Sequence, residues 1–265
     1  MTADRTLALT CSRLSAERSG LTGNMKVQII ILTATVILLN AYTDMVSSSE
    51  IPSSARSRKV VAELTPKMKK ELEEHGLAYG SPIYIRIYKE SSELELWVEN
   101  DEKFELLKNY NICSYSGALG PKLRVGDLQS PEGFYFVKAR QLNPSSQFHL
   151  SFNIGYPNAY DRAHGRTGSA LMVHGDCVSI GCYAMTDAVI EEIYTLAEAA
   201  FRNGQRFFRV HIFPFRMTTE NMEAHKESIW LDYWENLKEG HDFFEHDKRP
   251  PDVEVRDKRY TFQKL

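Results

Sequence analysis

Residues 172–187 read Met-Val-His-Gly-Asp-Cys-Val-Ser-Ile-Gly-Cys-Tyr-Ala-Met-Thr-Asp and gather His174, Ser179 and Cys182 into one short stretch. A cysteine that attacks a carbonyl needs a base for its proton, hydrogen-bond donors for the oxyanion, and room for the substrate. His174 is the candidate base. It lies eight residues before Cys182, and Gly175 and Gly181 permit the tight turn that would bring the two together. The backbone N–H groups of Gly181 and Cys182 are candidate oxyanion donors. A helix expected from Asp187 would lower the thiol pKa if its N-terminal end faced Cys182. The same residues admit other readings. Ser179 fits an ordinary turn, and cysteine is often buried and inert. Cys177 reads as an uninvolved loop or core residue, with a resolving thiol as the alternative. His174, Cys177, Cys182 and His211 make a zinc set by composition, although their spacing lacks the paired pattern of structural zinc sites.

The stretch resembles the signature of the YkuD-type L,D-transpeptidases: His-Gly, a spacer, then Ser-x-Gly-Cys. It is most similar to the YafK-like branch, whose spacer is short and whose cysteine is followed by an aromatic residue and Ala-Met. The likeness runs from about Tyr84 to about Pro214, through Ser116 to Lys122, Pro131 to Tyr135 and Gly155 to Arg162. Members of the family act on bacterial peptidoglycan through a cysteine acyl-enzyme and share a β-sandwich-like core. The resemblance implies Cys182 as nucleophile, His174 as base, Gly181 as the glycine that must precede the nucleophile, and Ser179 as a support for the site. It implies a peptidoglycan-acting cysteine acyltransferase that forms its acyl-enzyme at a D-centre amide of the stem peptide, with no metal or organic cofactor. This sequence departs from the wider family in its shorter spacer, in Ile180 where a second histidine is common, and in Ala184 where an arginine is common. The YafK-like branch shares these departures, and part of it is associated with hydrolysis that frees a covalently bound lipoprotein from peptidoglycan. That amidase reading is the alternative. A non-catalytic cell-wall binding module is the alternative of a different class.

Substrate contacts are expected just upstream. Tyr156, Asp161, Arg162, His164 and Arg166 form a polar, glycine-flanked loop, and a stem peptide carries carboxylates that arginine pairs bidentately. Arg166, Arg162 and Tyr156 are therefore the candidate substrate-binding residues. The competing reading is a loop held together by pairing of Asp161 with an arginine.

The elements that must position these residues read as mostly β with helical additions, an α+β fold. Strands are expected at 83–88, 94–98, 104–112, 133–137, 148–154, 170–173 and 207–213, from alternation and from β-branched and aromatic content. A helix is expected from Pro66 to about His75, closed by Gly76. A second runs from Asp187 to Arg202, with Thr186 as N-cap and Val189, Ile193, Leu196, Ala197 and Ala200 as its apolar face. A third is expected over 219–237, followed by a charged tail. The aromatic residues Phe213, Phe215, Trp230, Tyr233, Trp234, Phe243 and Phe244 either cover the core or shape the cleft.

The chain has 265 residues, 43% of them hydrophobic and 25% charged, with a formal net charge of −3. This suits one soluble domain with appendages and gives no reason to expect a nucleic-acid partner. The apolar run from Val27 to Leu39, preceded by Met25-Lys26, is thirteen residues long. A membrane span needs about 20, so the run fits the core of a secretory signal, with an uncleaved anchor and a buried core helix as the alternatives. The expected organisation is an upstream extension at 1–24 with the true start at Met25, a signal peptide or anchor at 25–41, and a linker with a short helix at 42–80. The catalytic domain follows at 81–216 and a C-terminal helical extension at 217–265. The expected location is the periplasm or cell envelope, with membrane attachment only through the N-terminal segment. Four cysteines are too few for a disulfide scaffold.

Overall fold

A computed structural model describes residues 51–264. The expected upstream extension, the signal or anchor and the first part of the linker lie outside the described residues. Among the described residues, no helix is long and apolar enough to cross a membrane.

The order of elements is α1 (Ala55–Glu74), β1 (Ile83–Tyr88), β2 (Glu93–Asn100), β3 (Lys103–Asn111), β4 (Gly133–Val137), β5 (Leu142–Asn143), β6 (Ser151–Asn153), α2 (Ala159–Ala163), β7 (Met172–His174), β8 (Tyr183–Ala184), α3 (Asp187–Arg202), β9 (Phe208–Phe213), α4 (Thr219–Ala224), α5 (Leu231–Asp247), β10 (Asp252–Arg256) and β11 (Arg259–Gln263). A five-stranded sheet has the order β3-β2-β1-β9-β4, a four-stranded sheet the order β5-β6-β7-β8, and β10 and β11 form a separate hairpin. The fold is mixed α and β, with 11 strands and 5 α-helices among the described residues.

The main core lies between the two larger sheets. Ile85, Ile87, Val210 and Ile212 of the first sheet share one cluster with Phe152 and Val173 of the second and with Ile193 of α3. Phe152 and Phe208 meet edge to face, 5.3 Å between ring centroids. In β1 every residue is buried, because both faces of its sheet are covered. The isoleucines point into the core, while Tyr84, Arg86 and Tyr88 face outward beneath α5. Arg86 is only 2% exposed and is neutralised by Glu95 and Glu245 at 2.8 and 2.6 Å. A buried guanidinium is tolerable only when paired in this way.

Local signals set some boundaries and missed others. Helix α3 begins at Asp187 behind the Thr186 cap, as the sequence predicts. Helix α1 starts eleven residues before the expected Pro66. Ser54 and Ser57 form a reciprocal capping box there, each hydroxyl accepting the other's N–H at 3.1 and 2.9 Å, and Pro66 sits inside the helix. The segment from 55 to 58, expected as linker, is therefore helical. The strand expected over 148–154 is confined to Ser151–Asn153, since His149 takes a left-handed conformation (φ +64°). The helix expected over 219–237 is two helices, and the second continues to Asp247. The expected charged tail is a paired hairpin: Val253, Val255, Tyr260 and Phe262 share one face, packed in the cluster that holds Phe134 and Tyr160, while the charges between them face water.

Candidate active site

Strands β7 and β8 run parallel, with Val173 opposite Tyr183 and His174 opposite Ala184. This register puts Cys182 beside Met172, on the face that carries His174. The two candidate residues are thus two positions apart along adjacent strands, about 7 Å of strand rise. The Met172 N–H donates to Cys182 Sγ at 3.4 Å, and the thiol donates to the Ala170 carbonyl at 3.8 Å. Cys182 is half-buried. Burial pushes its thiol above the ordinary value, and the Met172 N–H and the charge of Lys122 only partly offset that. The first residue of helix α3 is engaged with the loop: Asp187 Oδ1 accepts the Asp176 N–H at 2.9 Å.

His174 is buried at 3% exposure, with its ring 4.8 Å from that of Phe148. Its Nδ1 lies 2.6 Å from the Gly175 carbonyl. A carbonyl can only accept, so Nδ1 carries the proton and Nε2 presents a lone pair. Burial also lowers the imidazole pKa, so the ring is neutral at pH 7. The resting pair is therefore a thiol and a neutral imidazole. Gly175 is required sterically, since a Cβ there would lie 2.5 Å from Asp187 Oδ1.

The loop between the two residues is cross-linked. Cys177 forms a disulfide with Cys113 at the end of β3, which corrects the expectation of an uninvolved residue and removes Cys177 as a free thiol. The zinc candidates are also not brought together. His211 sits on β9, hydrogen-bonded to the Tyr84 hydroxyl at 2.8 Å, and among the described residues no three metal-ligating side chains converge.

Hydrogen bonds hold the loop around the thiol, from Ser179, which the resemblance implies as a support, and from Ser116, Ser130 and Lys89, for which the sequence carries no such signal. Ser179 Oγ donates to the Cys182 carbonyl at 2.8 Å, and Ser130 Oγ does so at 3.1 Å. The Gly181 N–H donates to Ser116 Oγ at 2.6 Å. It is thereby occupied, and Cys182 N–H is the donor left open of the expected oxyanion pair. Gly181 has φ +90°, a conformation that glycine adopts without penalty. Ser116 and Ser130 bracket the loop from Gly117 to Gln129, and Lys89 anchors it from below. The Lys89 ammonium donates to the carbonyls of Ala118, Gly120 and Ser130 and to Glu132 Oε1, all at 2.8–3.1 Å. The Glu132 carboxylate also accepts from Trp234 Nε1 at 2.9 Å. Pairing of Lys89 with Glu132, separated by 43 residues, had no local signal.

The expected substrate residues are mostly turned inward. Arg166 is 8% exposed. Its guanidinium pairs with Asp161 at 2.9 Å and lies against the Tyr160 and Tyr233 rings. The carboxylate it neutralises thus belongs to the protein. Tyr156 is buried, and its hydroxyl donates to the Lys122 carbonyl at 3.2 Å. Arg162 is exposed and donates to the Pro157 carbonyl. Exposed apolar side chains lie in the motif loop just before Cys182 in sequence, with Ile180 76% and Val178 56% exposed.

The two-sheet fold thus sets a half-buried cysteine and a buried histidine close to one another along β7 and the start of β8. The L,D-transpeptidase catalytic domain model, YkuD, matches residues 82–212, and the chain belongs to that family. It is 54% identical over 185 residues to a protein of Escherichia coli K12 named "Putative L,D-transpeptidase YafK", covering 70% of this chain and 75% of that protein. The counterpart in Escherichia coli O157:H7 matches to the same extent. Among solved structures, that of the helical cell shape determining protein Pgp2 from Campylobacter jejuni aligns over 71% of this chain and 79% of its own, at 18% identity and a TM-score of 0.41.

Proposed function

We propose that this protein is a peptidoglycan-acting cysteine acyltransferase of the cell envelope. Cys182 Sγ attacks the amide carbonyl at a D-centre of a stem peptide. His174 Nε2 takes the thiol proton and returns it to the nitrogen as the C–N bond breaks, so the amine leaves neutral and a thioester remains. The Cys182 N–H is the candidate oxyanion donor, and Ser179 and Ser130 hold the carbonyl of the same residue. An amine from a second stem then attacks the thioester to form a cross-link. Attack by water completes hydrolysis instead. The observation that carries this reading is the His174 tautomer: Nδ1–H is tied to Gly175 and Nε2 is open, on the face that holds the thiol.

A second reading, release of a protein chain linked to peptidoglycan, draws support from Ile180 and Val178. Their exposed apolar side chains in the loop that ends at Cys182 suit a polypeptide leaving group better than a short polar stem. Mass spectrometry of products from a disaccharide-tetrapeptide and from lipoprotein-linked fragments separates the two. Dimers lost with Cys182→Ala support transfer, and freed lipoprotein peptide without dimers supports hydrolysis. If neither forms and a thiol probe fails to label Cys182, the protein is a binding module.

A further inference from the structure

The outer face of the five-stranded sheet carries a cavity that the chemistry at Cys182 does not use. In the β4–β9 pairing Phe134 lies opposite His211 and Phe136 opposite Arg209, so these four side chains share one face. Their neighbour Val210 points the other way, into the core that also holds Val173 and Tyr183 of the second sheet; Tyr135 belongs to that core and also borders the cavity. The sheet therefore stands between this cavity and the strands that carry the thiol. The C-terminal hairpin roofs it with Val253, Val255 and Tyr260, leaving about 510 Å³. That volume is in the usual range for a ligand site.

Its charge is one-sided. Lys138, Arg206 and Arg209 line the cavity, and Asp252 is the one carboxylate among the lining residues. Arg209 reaches Asp252 only at 3.5 Å, and that carboxylate is 55% exposed. Among the described residues Lys138 and Arg206 form no ion pair. Burial holds the Arg209 guanidinium below its ordinary pKa, as expected of a cation short of counter-charge. Aromatic walls hold the cations in place. Arg209 lies 5.0 Å from the Phe207 ring and Lys138 5.7 Å from the Phe136 ring, and the two rings are 5.6 Å apart.

We propose that this cavity is a second ligand site, for a short peptide carrying at least two free carboxylates and small apolar side chains. Guanidinium groups bind carboxylates bidentately, and the phenylalanine and valine walls accept alanine-sized groups. An uncharged glycan would leave Lys138 and Arg206 without a counter-charge and Arg209 with only Asp252 at 3.5 Å. The occupant is a second stem peptide of the polymer on which Cys182 acts, an identity that rests on the peptidoglycan reading. By holding a neighbouring stem, the site raises the effective concentration of polymer at the thiol.

The test uses Cys182→Ala protein titrated with purified stem tetrapeptide, followed by calorimetry and by two-dimensional NMR. Two binding events per chain are expected. Lys138→Gln with Arg206→Gln, both exposed and so harmless to the fold, should weaken one event at least tenfold, and a peptide with amidated carboxylates should lose the same event. With Cys182 intact, the double variant should turn over soluble peptide at the unaltered rate but intact polymer several-fold more slowly, through KM. A single binding event unchanged in the double variant, or equal binding of the amidated peptide, overturns the proposal. Binding at the cavity without turnover by the intact protein upholds this site and sinks the reading of Cys182 instead.

Discussion

Breaking the Cys113–Cys177 bridge should loosen the site more than it unfolds the protein. The bridge closes a loop of 64 residues, and loop-closure entropy for that length is worth about 4 kcal/mol. For a fold of this size that corresponds to a fall in Tm on the order of 10 °C. The local consequence is larger, because Asp176 and Cys177 both hold left-handed backbone (φ +68° and +50°), at about 1–2 kcal/mol each. Without the bridge that strain is resisted only by Asp176 N–H on Asp187 and by Cys177 N–H on the Met185 carbonyl at 3.1 Å. Since this loop links His174 to Cys182, kcat/KM should drop on the order of tenfold at 25 °C, where the variant is still folded. Thermal scans and turnover of wild type and Cys113→Ser, each with and without reductant, read both effects. Cys113 and Cys177 are solvent-exposed, so reductant reaches them; it should convert wild type to the behaviour of the variant and leave the variant unchanged. A Tm shift below about 2 °C, or thiol-probe labelling of Cys113 or Cys177 before reduction, would refute the reasoning.

Four further outcomes are expected. Because burial lowers the His174 pKa, kcat/KM should rise with pH through a point below the ordinary imidazole value of about 6.5 and be flat near pH 7–8. An inflection above 7 in a pH–rate profile would contradict a neutral base. His174→Gln should lose about 10²–10⁴-fold at pH 7. Its residual rate should climb about tenfold per pH unit toward alkaline pH, tracking a thiolate whose pKa burial has raised; a pH-independent residue of activity would show that His174 is not the base. Lys89→Met should destabilise the fold by about 3–5 kcal/mol by leaving the fully buried Glu132 uncompensated, measured by urea denaturation, and a change below 1 kcal/mol would mean that the pair is not what pins the loop. Gly175→Ala should clash with Asp187 and cost more activity than stability, whereas unaltered turnover would show that the loop can shift freely.

The candidate site residues and most of the strands that carry them could be read from the chain because their signals are local. His174, Ser179, Gly181 and Cys182 lie within nine residues, and the Thr186 cap marks the start of α3 by chemistry confined to one turn. The alternation of Ile83 to Tyr88 likewise announces a strand, although only the sheet order reveals that both of its faces are covered. The capping box at Ser54 was also local, yet Pro66 drew the helix start away from it. The hairpin after Asp247 was masked by charges at alternate positions and by a turn, Asp257-Lys258, without glycine. What no local pattern carries is pairing across the chain. The Cys113–Cys177 bridge, the burial of Lys89 on Glu132, the two serine hydroxyls on the Cys182 carbonyl and the inward turn of Arg166 onto Asp161 depend on which loops the two sheets bring together. The sequence determined which groups were present for thiol chemistry. Tertiary structure decided how they are tuned: burial pushes the thiol up and the imidazole down, and the Gly175 carbonyl fixes the tautomer, because desolvation and hydrogen-bond partners are properties of the packed site and not of the residues themselves.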